Sequence, residues 1–463
     1  MLHFKLSRLR EDIPSLLKLA GPLLIGQLAV IAFGVLDTAM TARYSADDLA
    51  GLAMASAIFI SIYVGLTGVI SAIAPIVGQL FGAKRFSEIG EEVRQATWLA
   101  LGLTIFGCLI LLNADHLLAI SQMNASIEGK AKLYLSILAI GLPASMGMRV
   151  LMALHNAVSR PTVITVVQII GLALKLPLNL LFIYGGLGFE GMGGPGCAVA
   201  TVIINWSWLL MTLGFVLFDR FYRPFKIFAR FSMPDWHRIW TLLKLGTPIG
   251  FSYLIEVSSF TFMSLFIARL GTTALAGHQI VANIGTVIYM VPLSLSIATM
   301  TLVSQAIGAN KPKRAEEIGW SSVFFTTTLC IGIGIVVWIF RFQMLDLYDP
   351  PAEVKAFSIP LFLFIAFYQV FDALQITAAF ILRSYRVAFW PMLIYAGSLW
   401  GVGLGGGYLM GFNVLGNTPT FLQGANGFWA GNSLSLGLAA CLLLYLFRRT
   451  AERYEKTHPP VEV

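Results

Sequence analysis

Twelve separate stretches of 18 or more mostly apolar residues run through this chain of 463 residues, and they leave little choice of architecture. They fall at about 13–41, 49–77, 93–112, 133–154, 163–184, 197–218, 239–267, 280–307, 323–340, 357–382, 387–409 and 428–447. A helix rises about 1.5 Å per residue, so roughly 20 apolar residues cross a hydrocarbon core of about 30 Å. Backbone amides inside lipid find no water, which makes helix the only economical state for such runs. Several runs exceed the minimum length and imply tilt or protrusion. Only 12% of the residues are charged and the mean hydropathy is +0.80, against about 25% charged in a soluble domain. The chain therefore reads as an all-α membrane protein with twelve transmembrane helices. The amino-terminal MLHFKLSRLREDI has no short apolar core followed by a small-residue cleavage site, so no removable signal peptide is expected.

Several function classes are disfavoured by what the polar residues do. The longest polar stretch, 219–238, reads as a loop and not as a domain. Cys108, Cys197, Cys330 and Cys441 lie far apart inside apolar runs and read as small core residues, with neither a disulfide framework nor a zinc site. The net charge of +8 is scattered over short loops, which speaks for membrane orientation and against nucleic acid. No GxxxxGK[ST] sequence is present, and the six histidines offer no HExxH pattern. Gly186, Gly188 and Gly191 fit GxGxxG, but in a turn between two membrane helices that match is accidental.

Lys and Arg counted on alternate sides of the twelve runs divide 24 to 6, with Lys175 left inside the fifth run. Cytoplasmic loops are enriched in both residues, so both termini are expected on the cytoplasmic side.

The chain repeats itself. A shift of 226 residues aligns 16–83 with 242–309 without a gap, and 19 of 68 positions are identical. Composition alone would give roughly one identity in twelve, so this is duplication. The units expected are 1–230 and 231–463, each of six helices. An even number inserts both halves with the same orientation, related by a pseudo-two-fold axis along the membrane normal. Transporters of that plan keep their site between the halves.

Of 23 acidic residues, three lie inside runs: Asp37, Glu256 and Asp372. Glu256 is 12 residues from Lys244 and 13 from Arg269, roughly 18 Å of helix from either flank, beyond the reach of snorkelling. An acidic residue near a helix centre costs about 2.5–3.5 kcal/mol on insertion, so each needs a compensating partner or a role. The modest alternative is a protonated carboxyl bridging two helices. Under the 226 shift the three carboxyls face Met263, Val30 and Met146, so the scaffold is repeated and the ionisable chemistry is not.

Tyr368 and Asp372 are four residues apart, as are Glu256 and Phe260, and so share helix faces. An aromatic beside a carboxylate offers a π-face to an organic cation; Phe260 reads equally well as core packing. Gln279, Asn283 and Tyr289 on the eighth helix could supply neutral oxygens to a substrate cavity, or could simply bridge neighbouring helices. Lys175 either faces the interior of the N-terminal half and pairs with Asp37 or snorkels outward.

The stretches TAMTARYSADDLAGLAMA (38–55), LPLNLLFIYG (176–185), GGPGCAVAT (193–201), ALAGHQIVANIGTVIYMVPLSLSIA (274–298) and FYQVFDALQ (367–375) resemble the NorM-type branch of the multidrug and toxic compound extrusion family over nearly the whole chain. The resemblance implies two six-helix bundles and a secondary antiporter of the bacterial inner membrane. It implies a monomer, without cofactor, exporting small organic cations in exchange for Na⁺ or H⁺. It assigns the family's acidic residues to Asp37, Glu256 and Asp372 and the ion-site tyrosine to Tyr368, and so implies an Na⁺ seat at Glu256, Tyr368 and Asp372. The asparagine of the fifth helix corresponds to Asn179. One position departs: where many relatives carry a second asparagine, this chain has Lys175. A built-in ammonium can take the place of a coupling ion, which counts against an Na⁺ site in the N-terminal half.

In that reading each mid-membrane carboxylate is neutralised by a proton, by Na⁺ or by a cationic drug, and apolar walls penalise excess charge. Loading one ligand discourages the other. A lipid-linked precursor flippase of the same superfamily would instead want a basic cavity, whereas the runs hold three acids against Lys175. A membrane-embedded transferase would want a catalytic His or Asp at a membrane face.

Overall fold

The computed structural model describes residues 6–115, 118, 124–186 and 188–458. Among the described residues, eleven helices are long and apolar enough to cross a bilayer, from Leu9–Tyr44 to Ala425–Thr457. The apolar run at 387–409 is also helical, but as consecutive pieces: Phe389–Tyr395, a π-helical stretch Ala396–Gly406, and Gly407–Gly411. A π-helix widens the turn and weakens packing around its own axis. Six glycines from Gly397 to Gly407 give this stretch its backbone freedom. The chain is thus an all-α membrane protein of twelve helical passes.

Large apolar side chains such as Ile105, Leu109, Leu210, Leu265 and Ile335 lie on the outside, each more than half exposed. In water such a belt would aggregate; in lipid it is the solvated surface.

Two compact units are present: Pro22–Gly250, and Phe251–Val463 with Met1–Gly21. The changeovers fall inside the helices Leu6–Tyr44 and Trp236–Ala268. Local chemistry shows why. The Asp12 side chain, 2% exposed, is ion-paired with Arg314. At the other changeover, a Cβ on Gly250 would stand 2.7 Å from the Gly65 carbonyl, so only glycine lets these two backbones approach so closely.

Within the Phe251–Val463 unit the last helix packs by the same device. Gly427 and Gly431 face Gly411 and Gly407, and a Cβ on Gly431 would meet Gly407 N at 2.7 Å and Gly407 Cα at 2.8 Å. Two four-residue glycine spacings face each other, and the gain is van der Waals contact that lipid cannot offer.

In the Pro22–Gly250 unit, Ser45 caps the helix Ala46–Ile70 by accepting from Asp48 N–H at 3.4 Å. Pro177 lies inside the helix Pro161–Asn179 and continues into a π turn, Leu180–Tyr184. Lacking an N–H, it leaves the carbonyl four residues earlier without its helical donor. Lys175 and Asn179 flank this irregular turn. The glycines at 185, 186 and 188 have φ of +88°, +152° and +87°. They belong to a small hairpin in which Gly185–Gly186 pairs antiparallel with Phe189–Glu190, so the GxGxxG match falls in a hairpin between two membrane helices.

Candidate functional site

The three acidic residues fall into two constellations, one in each unit. In the Pro22–Gly250 unit, Lys175 Nζ lies 2.9 Å from Asp37 Oδ1. The same ammonium donates to Thr201 Oγ1 at 2.5 Å and to the Cys197 carbonyl at 3.3 Å. Asn179 Nδ2 donates to Asp37 Oδ1 at 2.7 Å, and Asn179 Oδ1 is buried with no partner among the described residues. Lys175 is completely enclosed, whereas the Asp37 side chain retains 14% exposure. The ring of Phe33, 5.5 Å away, covers the ammonium. Lys175 and Asn179 are one turn apart on one helix face, Asp37 comes from the first helix, and Thr201 and Cys197 come from the helix Gly194–Phe218.

In the Phe251–Val463 unit, Asp372 is buried at 1% exposure. One of its oxygens accepts from Gln375 Nε2 at 2.8 Å. The Gln375 carbonyl oxygen in turn accepts from the Tyr395 hydroxyl. Glu256 Oε1 accepts from the Tyr289 hydroxyl at 3.5 Å, the outer limit of such a bond. Among the described residues neither Glu256 nor Asp372 has a cation within 4.0 Å. Among the described residues of this unit, Arg383 is a buried cation. It sits in the last turn of the helix Leu361–Ser384, 6% exposed, and donates to the Tyr253 hydroxyl at 2.7 Å.

The remaining candidates divide. Tyr368 packs its ring on Trp429 with centroids 5.6 Å apart, and Phe260 packs on Trp429 at 6.1 Å and on His278 at 5.8 Å. Both belong to one aromatic cluster, in which Phe260 is a partly buried ring. Gln279 and Asn283 are exposed on the helix Thr272–Gly308, and no side-chain hydrogen bond joins them to the carboxylates among the described residues.

Sequence reasoning missed Thr201, Cys197, Gln375, Tyr395, Tyr253 and Arg383. Two of these carried a readable signal: Gln375 is three residues beyond Asp372 and Tyr253 three before Glu256, so each shares a helix face with its carboxylate.

The MatE family profile matches this chain twice, over residues 22–181 and 248–409. The chain belongs to the MatE family. The two matches begin at 22 and 248, the same 226-residue offset as the internal repeat. A probable multidrug resistance protein NorM of Aromatoleum aromaticum is 39% identical over 94% of this chain and 93% of its own length. The multidrug resistance protein PmpM of Pseudomonas aeruginosa is 34% identical over 97% and 94%. Among solved structures, a MATE protein in the bent conformation superposes with a TM-score of 0.87 at 18% identity, covering 96% of this chain and 97% of that one. The eukaryotic MATE transporter AtDTX14 superposes at 0.83 with 18% identity, over 97% and 99%. This MatE member is a multi-pass membrane transporter and not an enzyme.

Proposed function

We propose that this MatE transporter is a multidrug exporter that moves organic cations out of the cell in exchange for H⁺ or Na⁺, with Glu256 and Asp372 as the groups that passenger and coupling ion take in turn. The observation that carries this reading is the absence, among the described residues, of an ion-pair partner at either carboxylate. Two carboxylates share one unit, one of them sealed at 1% exposure, and among the described residues neither has an ion-pair partner. A buried carboxylate without a cation is costly. The missing positive charge is therefore supplied by a mobile ligand: a proton, Na⁺ or the cationic drug.

Because apolar walls penalise excess charge, the two ligands displace each other, and displacement is the physical content of exchange. Tyr368 stands one turn before Asp372 on the helix Leu361–Ser384 and offers a hydroxyl oxygen to an arriving cation, while Tyr289 approaches Glu256 from the helix Thr272–Gly308. The inward ion gradient drives the cycle, and the membrane potential adds about 2.3 kcal/mol per net charge moved per 100 mV. With both termini on the cytoplasmic side, as the distribution of Lys and Arg supports, the gradient pulls export in the outward direction.

Ethidium efflux from cells and inverted vesicles, with Na⁺ and pH varied independently, tests the reading. Efflux is expected to follow one of the two gradients. Glu256→Gln and Asp372→Asn are expected to lower it at least tenfold while the amount of inserted protein and its melting temperature stay unchanged. Wild-type efflux from either variant overturns the proposal.

A further inference from the structure

Lys175 is the one lysine among the described residues whose side chain is fully enclosed, and its surroundings are made of oxygen. Its three N–H groups meet three acceptors: Asp37 Oδ1 at 2.9 Å, Thr201 Oγ1 at 2.5 Å and the Cys197 carbonyl at 3.3 Å. A fourth oxygen, Asn179 Oδ1, is buried and unpartnered among the described residues, on the amide whose nitrogen holds the same Asp37 oxygen. One carboxylate with a hydroxyl and a backbone carbonyl oxygen is a set of ligands that replaces the hydration of a small monovalent cation. Here a side chain already fills it.

We propose that Lys175 is a built-in counter-cation that permanently occupies a monovalent-cation seat in the Pro22–Gly250 unit, so that this unit binds no free coupling ion, and that removing the ammonium opens the seat to Na⁺. A tethered ammonium needs no bulk concentration and never leaves. A second cation at about 4 Å from it would lose on the order of a thousandfold in affinity at an effective dielectric constant of about 20. Asp37, thus neutralised from within, stands apart from Glu256 and Asp372, and the transporter runs on the ions of one unit. That last consequence rests on the exchange mechanism proposed above; the seat itself does not.

The test is made on purified full-length protein carrying Glu256→Gln and Asp372→Asn, which removes the carboxylates of the other unit. Melting temperature is followed while NaCl replaces choline chloride at constant ionic strength. With Lys175 intact, no Na⁺-dependent shift is expected. With Lys175→Ala added, the melting temperature is expected to rise saturably with Na⁺, as binding to the native state alone requires. With Asp37→Asn added as well, the rise is expected to vanish. A folded Lys175→Ala protein indifferent to Na⁺ overturns the proposal. So does a protein with Lys175 intact whose Na⁺ response is abolished by Asp37→Asn. Should Lys175→Ala fail to fold, radioactive sodium binding to the Lys175-intact protein decides: none is expected, and saturable binding lost on Asp37→Asn overturns it. None of these readouts needs transport, so failure here leaves the exporter reading standing, and failure of ion-coupled efflux leaves the seat standing.

Discussion

Arg383 Nη1 donates to the Tyr253 hydroxyl at 2.7 Å, and the guanidinium lies 4.8 Å from the centre of the same tyrosine ring and 4.2 Å from that of Phe380. A buried arginine held by a phenol and two π-faces, with no carboxylate at ion-pair distance among the described residues, keeps its charge free to act at longer range. Arg383 is thereby anchored to the helix of Glu256, which stands three residues beyond Tyr253 in Trp236–Ala268. Replacing it by Arg383→Gln removes a repulsive charge from any cation that approaches that carboxylate. The half-saturating concentration of the coupling ion is expected to fall several-fold, since about 1 kcal/mol is a factor of about five, while maximal efflux drops because the ion leaves more slowly. Ethidium efflux titrated against Na⁺ and pH measures both. Unchanged ion dependence would remove Arg383 from the coupling machinery.

The hydroxyls around the two carboxylates are not equivalent. Tyr395 holds the carbonyl end of Gln375, whose nitrogen holds Asp372 at 2.8 Å, and all three are buried. Tyr395→Phe leaves the Gln375 oxygen unpaired, at a cost of about 1–3 kcal/mol, and lets the amide turn away from Asp372. Tyr289 reaches Glu256 at 3.5 Å, so Tyr289→Phe gives up little. Efflux is expected to fall at least fivefold in Tyr395→Phe and less than twofold in Tyr289→Phe. The reverse order would show that Glu256 and not the Asp372 chain sets the rate.

Much of this was legible in the residue order because lipid is an unforgiving solvent. Twelve apolar runs give twelve passes, and the 226-residue offset recurs in the two stretches that the family profile matches. Asp37, Glu256 and Asp372 stood out because a charge in hydrocarbon demands an explanation. What sits beside them was readable only within a helix, as with Gln375 and Tyr253. Lys175 and Asp37 are 138 residues apart, and no periodicity joins them; spacing left pairing and snorkelling open. Tyr395 was invisible for a related reason. It lies beyond a turn at which Arg386 adopts φ +59°, so its approach to Gln375 depends on how two helices pack. Phe260 was left open between a π-face beside Glu256 and core packing, and its ring lies against His278 and Trp429.

The facing glycines of the last helix give a stability prediction independent of transport. A side chain at position 431 meets the Gly407 backbone at 2.7–2.8 Å, and backbone cannot rotate aside. Gly431→Val is expected to cost about 1–3 kcal/mol as overpacking and to lower the melting temperature in detergent by several degrees. Gly401→Ala, where nothing lies within 4 Å of the new Cβ, is expected to leave it unchanged or slightly raised. Differential scanning fluorimetry separates the two. Equal effects would mean that glycine acts here through backbone freedom and not through close approach.

Glu91 organises the stretch that follows the sixth helix. Its carboxylate, 12% exposed, accepts from Arg94 Nη2 at 2.6 Å, Gln95 Nε2 at 2.8 Å, Ser232 Oγ at 2.9 Å and Arg230 Nη2 at 3.0 Å. Arg94 also donates to the carbonyls of Lys226 and Ile227 at 2.9 and 2.8 Å, so the carboxylate steadies the arginine that ties this stretch to the helix Phe86–Leu112. Glu91→Ala removes the acceptor of four donors at once. Arg230, 71% exposed, is the weakest of them, because an exposed ion pair contributes about 0–1 kcal/mol. Limited trypsin digestion after Lys226 and Arg230 is therefore expected to speed up about tenfold in Glu91→Ala, whereas Arg230→Ala is expected to leave cleavage after Lys226 within twofold of wild type. Equal protection in Glu91→Ala and wild type would mean that the stretch is held by its apolar contacts, chiefly the burial of Tyr222 and Phe225, and not by this carboxylate.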